Sequence, residues 1–410
     1  MPSHTDSGPL AGLRIIDCST VLAGPYATMV LADLGADVVK VEPPEGDATR
    51  GWGPPWVGDA ALGTRTAAYF LAVNRNKRSI RLDLKAAAGA EVLRALLRDA
   101  DVLVENFRPG GLARLGFADD ALGAINPRLV HLAISGYGRT GPAAHRPGYD
   151  FVIQAASGLM SITGDPAEDG GQPTKVGVAI SDVVTGLYAV IGILAALLAR
   201  GGAADDRGQR IDVSLLASTL AVLVNQAQNA FVTGAAPVRR GNAHPNIVPY
   251  ETFVSADGEI AVAVGSERQW LRFCAALGLA DLAADPRFAT NGARVEHRDV
   301  LRPILAARLA SETTAAWVHE LDAADVPCGP IRDVLAAFAS REASDLGMDA
   351  TIEHPSLGVL RQAGIPIHFE ATPGSIRSAP PLLGEHSDAI LTELGYGPDA
   401  IVALRAAGVV

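Results

Sequence analysis

Cysteine is scarce in this sequence, with only three among 410 residues. Cys18, Cys274 and Cys328 lie too far apart in sequence to indicate a disulfide framework or a cluster of zinc ligands. A chain without structural disulfides is typical of a reducing compartment. We therefore expect a cytoplasmic protein with no bound metal.

Positive charge is also in short supply. The chain has 34 Lys and Arg against 45 Asp and Glu, a formal net charge of -11. This balance repels phosphate backbones and no basic run offsets it, which argues against nucleic acid as a partner. With 49% hydrophobic and 19% charged residues, the composition is that of a globular protein. A length of 410 residues predicts two to three domains, or one large domain with an insert.

Patterns for a leader or a membrane span are missing as well. The opening letters MPSHTDSGPL lack the basic start and the apolar core of a signal peptide. The apolar stretch 183–199 is interrupted by Thr185, Gly186 and Tyr188, so its continuous part is shorter than the ~20 residues of a membrane span. We expect no membrane insertion and interpret 183–199 as a helix buried on all sides.

A lone carboxylate, Asp182, precedes this apolar stretch. One interpretation is a structural cap, because Ser and Asp satisfy unpaired N–H groups at helix starts. The other is a catalytic nucleophile, since small residues on either side, Gly177 and Gly186, leave room for a ligand. Position alone leaves both interpretations open.

Short apolar runs alternate with helical patterns in the first part of the chain. The runs 13–17, 37–42, 102–105 and 129–135 are predicted strands, and their connections predict a parallel sheet with helices on its faces. Around a further strand lie five basic residues, Arg75, Lys77, Arg78, Arg81 and Lys85. Each alone is typical of a solvated surface, but together they would suit a phosphate-bearing cofactor.

The letters GYGRTG after residue 135 match the dinucleotide fingerprint G-x-G-x-x-G. The fingerprint must open a helix, whereas Pro142 and Pro147 follow at once. We therefore expect no NAD.

The sequence pattern changes at Gly241. From there we predict a loop, then a hairpin with an Asp-Gly turn, and then mainly helix over 270–320.

Several motifs together resemble the family III CoA-transferases, the group that contains formyl-CoA transferase. They are AGLRIIDCSTVLAGP, GADVVKVEPPEGD, NRNKRSIRLDLK, DVLVENFRPGGLARLGF, ISGYGRTGP, SDVVTGLYAVIGILAAL, RIDVSLL, VPCGPI and PPLLGEHS. The likeness covers nearly the whole chain. GNAHPNIVPYETF and VPCGPI most resemble the succinate–hydroxymethylglutarate (glutarate) branch.

The resemblance implies an α/β fold with a Rossmann-like large domain, residues 1–225 and 331–410, and a smaller inserted domain, 226–330. It also implies an interlocked homodimer and coenzyme A, as acyl-CoA, in place of NAD or a metal. Asp182 falls on the family's catalytic aspartate. The positions that fall on the family's CoA site are Leu22, Ala23, Leu82, Lys85, Asn106, Phe107, Arg108, Arg114, Tyr149 and Asp150.

Some positions depart from formyl-CoA transferase, which has an arginine at Pro43, a glutamine at Leu22 and a glycine run at Gly241-Asn242. The change at Pro43 implies that a nucleotide contact is replaced or absent, and the changes at Leu22 and Gly241-Asn242 argue against oxalate and formyl-CoA. A dicarboxylate acceptor needs a partner for its second charge. The residues expected to supply it are Arg50, Arg240, Gly241, Asn242 and His244.

The expected activity is transfer of CoA from an acyl-CoA, such as succinyl-CoA, to a free dicarboxylic acid through aspartyl anhydride and aspartyl-CoA intermediates. Two alternatives remain. One is proton transfer of the α-methylacyl-CoA racemase type, although racemases carry a histidine at Tyr149 and tyrosine is a poor base at neutral pH. The other is a CoA-binding protein without catalysis.

Overall fold

The computed structural model describes residues 8–203 and 205–410. The first seven residues, on which part of the expectation of no leader rests, lie outside the described residues. The chain divides into two compact units. The larger comprises residues up to 157, 177–224 and 341–410, and the smaller comprises 158–176 and 225–340. The segments 158–176 and 331–340, assigned to the large domain from sequence, thus pack within the smaller unit.

The strands are numbered in chain order. They are β1 Arg14–Cys18, β2 Asp37–Glu42, β3 Trp56–Val57, β4 Thr66–Ala67, β5 Lys77–Arg81, β6 Val102–Glu105, β7 Val130–Ser135, β8 Arg210–Ser214, β9 Tyr250–Val254, β10 Glu259–Ala263, β11 Cys328–Pro330, β12 Asp349–His354 and β13 Gly358–Ala363.

The α-helices are numbered in the same way. They are α1 Ala23–Asp33, α2 Ala68–Leu71, α3 Ala87–Arg98, α4 Gly111–Arg114, α5 Asp119–Ile125, α6 Asp150–Ala156, α7 Leu159–Ile162, α8 Ile180–Gly202, α9 Leu215–Ala221, α10 Val224–Thr233, α11 Glu267–Ala276, α12 Ala280–Ala284, α13 Asn291–Glu296, α14 Arg298–Leu309, α15 Thr314–Ala323, α16 Val334–Phe338, α17 Arg341–Asp345, α18 Ser387–Glu393 and α19 Pro398–Ala406.

The larger unit is built on a six-stranded parallel sheet in the order β5-β2-β1-β6-β7-β8. After β1 the chain adds β2 and β5 on one side, then returns to add β6, β7 and β8 on the other. The strand order therefore reverses between β1 and β6. In open α/β sheets, ligands bind beyond the carboxyl ends of the strands at such a reversal.

Both faces of this sheet are covered, so most side chains of its central strands β1, β6 and β7 are buried. Successive residues point to opposite faces, so Ile15 joins the cluster formed with α1 and α8, whereas Ile16 joins the cluster formed with α3, α18 and α19. Both side chains are fully buried. The predicted α/β class and parallel sheet are confirmed.

The smaller unit has its own core. β9, β10 and β11 form an antiparallel sheet in the order β11-β10-β9. Ile260 and Val262 of β10 pack on Trp270, Phe273 and other apolar residues of helices α11 to α15. The predicted hairpin around the Asp-Gly turn is confirmed as β9 and β10.

The long apolar helix α8 corrects one expectation. Only one side of it is buried, at residues such as Gly186, Ala189 and Ile193, while Ile191 and Leu198 are 60% and 80% exposed. By length and composition α8 could cross a membrane, with 39% of its most apolar window buried. Core helices of soluble proteins meet the same criterion, so this alone does not indicate a span.

The basic residues around β5 correct the expectation that such residues belong to a solvated surface or a phosphate site. Arg75 is 3% exposed and pairs with Asp33, and Lys77 is 1% exposed and pairs with Asp17. Neither belongs to a solvated surface or can reach a phosphate. At these two positions the basic pattern reflects internal ion pairs.

Candidate active site

A cavity of about 230 Å³ lies at the carboxyl ends of β1, β6 and β7, where the strand order reverses. Its walls come from five segments: the turn after β1, the loop after β6, the end of β7 with the stretch that follows it, the start of α8, and the start of α9. The residues that line it are Thr20, Val21, Leu22, Ala23, Asn106, Phe107, Arg108, Pro109, Ile134, Ser135, Gly136, Ala144, His145, Arg146, Pro147, Gly148, Tyr149, Asp182 and Leu215.

Asp182 lies in the first turn of α8 and is 8% exposed. The N-cap of α8 is Ala179, so Asp182 is not the cap residue. Within residues 8–203 and 205–410, no hydrogen bond or ion pair reaches its carboxylate. Burial, and then the charge of Asp150, raise its pKa to about 7. A buried carboxylate without a partner, in a cavity, is typical of a functional group.

Asp150 does the capping that sequence analysis considered for Asp182. It begins α6, and its Oδ1 accepts a hydrogen bond from the N–H of Ser181 at 2.8 Å. Its Oδ2 accepts from the Gln154 side chain at 2.8 Å. Asp150 does not itself line the cavity. It ties α6 to the helix that carries Asp182.

α8 packs closely on α1 next to the cavity. A Cβ atom at Gly186 would lie 2.8 Å from the carbonyl oxygen of Ala23 and 3.0 Å from Cδ1 of Tyr26. The absence of a side chain at Gly186 therefore allows the two helix starts to approach. This contact brings Ala23 and Asp182 to the same cavity.

Six of the predicted CoA-site residues line this cavity together with Asp182: Leu22, Ala23, Asn106, Phe107, Arg108 and Tyr149. Arg108 is exposed, and the Tyr149 side chain is 60% exposed. A cation and an aromatic ring are thus available at the mouth. Both are groups that nucleotide and pantetheine moieties can contact.

Besides Asp150, three further predicted CoA-site residues are not brought into the cavity. The Leu82 side chain is 1% exposed and packs in the core with α3. Lys85 and Arg114 are exposed, the first shortly after β5 and the second at the end of α4. If these two cations contact CoA, they do so outside the cavity.

Arg50, which was expected to face the substrate's second carboxylate, instead forms an ion pair with Glu42. Its Nε and Nη2 donate to both Glu42 oxygens at 2.8 and 2.7 Å, and Nη2 also donates to the Pro381 carbonyl. Its guanidinium stacks over the Phe70 ring at 3.6 Å. Arg50 does not line the cavity, and its charge is balanced by Glu42.

The other predicted substrate residues belong to the smaller unit. Gly241 donates its N–H to the Gly164 carbonyl at 3.0 Å, and the Asn242 side chain donates to Thr252. His244 Nδ1 accepts from the Asn246 N–H at 3.0 Å, as expected for a loop histidine bonded to the main chain. Burial and the nearby Arg298 lower its pKa. Arg240 is exposed.

Sequence reasoning missed several lining residues, among them Thr20, Val21, Ser135, His145 and Arg146. For Thr20, Val21 and Ser135 the available signal was their position at or just after the carboxyl end of a predicted parallel strand. Among the described residues, no group of three or more His, Cys, Asp or Glu could hold a metal ion.

Comparison with known proteins agrees with this geometry. The family model described as CoA-transferase family III matches residues 10–387. The chain is 44% identical to a succinate–glutarate CoA-transferase of Agrobacterium fabrum, over 94% of this chain and 96% of that protein. It is 42% identical to an acetyl-CoA:oxalate CoA-transferase of Acetobacter aceti, over 80% and 82% of the two chains.

A solved structure is similarly close. The crystal structure of a CAIB/BAIF family protein from Brucella suis superposes with a TM-score of 0.83 at 43% identity, over 95% of this chain and all of that one (100%). The family match spans most of the sequence, and the succinate–glutarate CoA-transferase is matched almost end to end. The protein therefore belongs to CoA-transferase family III and is an enzyme that acts on CoA thioesters.

Proposed function

We propose that the protein moves CoA from succinyl-CoA to a second dicarboxylic acid, with Asp182 as the covalent nucleophile. The observation that carries this proposal is the buried Asp182 carboxylate, which has no partner in the described chain and lies in a cavity at the reversal of the sheet. The names of the relatives, which include a succinate–glutarate CoA-transferase, support this choice of donor and acceptor class.

The reaction divides into four steps. The Asp182 carboxylate attacks the thioester carbonyl and the C–S bond breaks, giving an acyl-aspartyl anhydride and CoA thiolate. The thiolate attacks the aspartyl carbonyl, releasing succinate and leaving an aspartyl-CoA thioester. The acceptor carboxylate then attacks the aspartyl carbonyl of this thioester and expels the CoA thiolate, which gives a new anhydride. In the last step the thiolate attacks the acceptor carbonyl of that anhydride, forming the product acyl-CoA and releasing the Asp182 carboxylate. In each step the bond that breaks and the bond that forms have similar free energies, so neither ATP nor a metal is needed.

The environment of Asp182 suits this role. A carboxylate with a pKa raised to about 7 is more basic than an ordinary one, yet is about half ionised near neutral pH. Its buried position removes the water that would otherwise solvate it. The same burial protects the anhydride from hydrolysis.

The acceptor is proposed to be a dicarboxylate of four to six carbons, such as succinate, glutarate or hydroxymethylglutarate. Because Arg50 is balanced by Glu42, we assign the cation for the distal carboxylate to the exposed Arg240 and keep Gly241, Asn242 and His244 as neighbours. Oxalate is a second candidate, since a relative at 42% identity is named for it.

We also propose a cytoplasmic homodimer. α8 exposes an apolar stripe formed by Leu187, Tyr188, Ile191 and Leu198. Monomeric soluble proteins rarely leave such a helix face uncovered. A second copy of the chain would bury it.

The test is to mix succinyl-CoA with a panel of free acids and to follow new CoA esters by mass spectrometry. We expect glutarate and similar acids to accept CoA, and Asp182→Ala to lose at least about 10³-fold in rate. Equal kcat/KM for butyrate and succinate would contradict a dicarboxylate site, because the distal charge would then contribute nothing.

A second sample, a 2-methylacyl-CoA in deuterated solvent, separates the alternatives. A racemase would exchange the α-proton of this thioester with the solvent and would form no new ester in either sample. A protein that only binds CoA would show affinity and no turnover. Either result would overturn the proposed transfer.

A further inference from the structure

The turn that follows β1 has an uncommon backbone conformation. Val21 has a φ of +73°, in the left-handed region that β-branched residues rarely adopt. Strain of this kind persists only where the surrounding structure imposes it. Thr20, Val21 and Leu22 all line the cavity of Asp182. The strained turn is therefore one wall of the candidate active site.

Asn106, which follows β6, holds this turn directly. Its Oδ1 accepts from the N–H of Thr20 at 3.0 Å, and its Nδ2 donates to the Thr20 carbonyl at 2.7 Å. One side-chain amide thus satisfies both main-chain groups of the residue just before Val21. The clamp fixes the direction of the chain as it enters the strained residue.

A buried ionic network holds the turn from β2, on the other side of β1. Lys40 Nζ donates to the Ser19 carbonyl at 2.9 Å and pairs with Asp47 at 3.0 Å. Oδ1 of Asp47 accepts from the N–H of Val21 at 3.4 Å. The Lys40 and Asp47 side chains are both fully buried (0%), so the network cannot relax without exposing unpaired charge. Strands on both sides of β1 thus brace the turn.

We propose that Asn106 is a positioning residue, which clamps Thr20 and keeps the strained Val21 turn in place as a wall of the Asp182 cavity. The resemblance to formyl-CoA transferase assigns Asn106 to the cofactor site, whereas its amide is already used on the main chain. This inference deepens the proposed CoA transfer and rests on it. Loss of the clamp lets Val21 return to an ordinary backbone and moves Leu22 and Ala23 relative to Asp182.

The first measurement compares Asn106→Ala with the wild type. We expect hydrogen exchange of peptides covering residues 19–24 to rise about tenfold or more, because the Thr20 and Val21 amides open more often. The kcat for transfer should fall about tenfold or more, while the affinity for free CoA, measured by calorimetry, changes less than about threefold. Asn106→Asp, which keeps the acceptor and loses the donor, replaces Asn106→Ala if that variant does not fold.

The second measurement asks whether the clamp acts through Val21. Glycine adopts positive φ without penalty, so Val21→Gly in the Asn106→Ala background should recover about threefold or more of the lost kcat. Val21→Ala removes almost the same side chain but keeps the Cβ atom that opposes positive φ. It is the matched control and should recover nothing.

Asn126→Ala controls for a general loss of stability. Asn126 also donates to two carbonyls, those of Leu97 and Ala100, but lies in the core away from the cavity. Asn126→Ala should leave hydrogen exchange over residues 19–24 unchanged.

Two outcomes would overturn the inference. One is unaltered hydrogen exchange over residues 19–24 in Asn106→Ala, and the other is a loss of CoA affinity above about tenfold in that variant with kcat retained. If the wild type transfers no CoA to any dicarboxylate, the proposed function fails, yet exchange and CoA affinity still decide the clamp.

Discussion

Asp182 is distinguished from other carboxylates of the chain by what surrounds it. Burial and the charge of Asp150 raise its pKa to about 7, and only the ionised form can attack a thioester. We therefore predict that kcat/KM falls as the pH drops below about 7. Asp150→Asn removes the neighbouring charge, while its amide oxygen can still accept from Ser181. This variant should move the acid limb of the profile to lower pH.

The measurement is a pH profile of kcat/KM for wild type and Asp150→Asn. Since burial is the larger cause of the raised pKa, the limb should move only part of the way towards an ordinary carboxyl value. An identical limb in both proteins would assign it to another group.

The same pKa makes a prediction about stability. A carboxyl whose folded pKa lies above its unfolded value favours folding at low pH, and this contribution is lost as pH rises through the folded pKa. Above about pH 7 the fold buries an unpaired charge. Asp182→Asn, which stays neutral, should be more stable than wild type there, by on the order of 2–4 kcal/mol. The difference should shrink towards pH 4, the ordinary value for aspartate being 3.8.

Denaturant unfolding at about pH 5 and about pH 8 measures this difference. A variant that is inactive yet more stable at the higher pH would identify Asp182 as a functional group that costs stability. A variant less stable than wild type at both pH values would point to a structural role.

The cations proposed for the CoA phosphates form a third prediction. Lys85→Ala, Arg108→Ala and Arg114→Ala should each raise the KM for acyl-CoA by about tenfold or more with a smaller change in kcat, since a charged hydrogen bond contributes ~1.5–3 kcal/mol. Arg341→Ala is the control, because that side chain is 91% exposed and pairs with Asp345 of its own helix, α17. Unchanged KM in all three variants would place the nucleotide elsewhere.

At the level of single residues, the sequence predicted which residues gather around the cavity better than it predicted their ion pairs. Asp182 was noticed by its place before an apolar run and assigned a role by the family resemblance, and the structure places it in a cavity with six of the predicted neighbours. The ion pair between Arg50 and Glu42 was invisible, because pairing depends on the register of β2 and on the loop that follows it. The left-handed Val21 was invisible too, since valine carries no sequence signal for that conformation.

The elements that carry the site make contact through α1 and α8. Gly186→Ala would bring a Cβ atom within 2.8 Å of the Ala23 carbonyl, so the helices must separate. We predict a loss of ~1–3 kcal/mol in unfolding free energy and a fall in kcat, because Ala23 and Asp182 both line the cavity.

Gly201→Ala on the same helix is the matched control, since nothing lies within 4 Å of its added Cβ atom. It should be neutral or stabilise by up to about 1 kcal/mol through helix propensity. Denaturant unfolding and steady-state kinetics on both variants make the comparison. Equal stability of the two variants would mean that α1 and α8 are not tightly packed in solution.

Element prediction was most accurate in the parallel sheet. The expected strands 37–42 and 102–105 coincide with β2 and β6, because their short apolar stretches are typical of buried parallel strands. The chain after β8 forms two helices, α9 and α10, separated at 222–223, although no Pro or Gly marks a break there in the sequence.

For the whole molecule, α8 shows what sequence patterns cannot determine. Its apolar residues cover both faces, which predicted burial on all sides, yet one face is exposed in the single chain. Hydrophobicity indicates that a face is to be covered and does not say whether the same chain or a second copy covers it.

The proposed homodimer makes the last prediction. Ile191 and Leu198 are 60% and 80% exposed on α8, and burying such a surface contributes ~25 cal/mol per Å². The double variant Ile191→Glu/Leu198→Glu places two charges without partners in that interface, a cost of several kcal/mol. Sedimentation should then show a dimer for the wild type and a monomer for the variant at micromolar concentration. Val402→Glu is the control, as Val402 is an exposed apolar residue (62%) on α19, away from the stripe, and it should leave the dimer intact. A monomeric wild type would mean that the stripe has another partner.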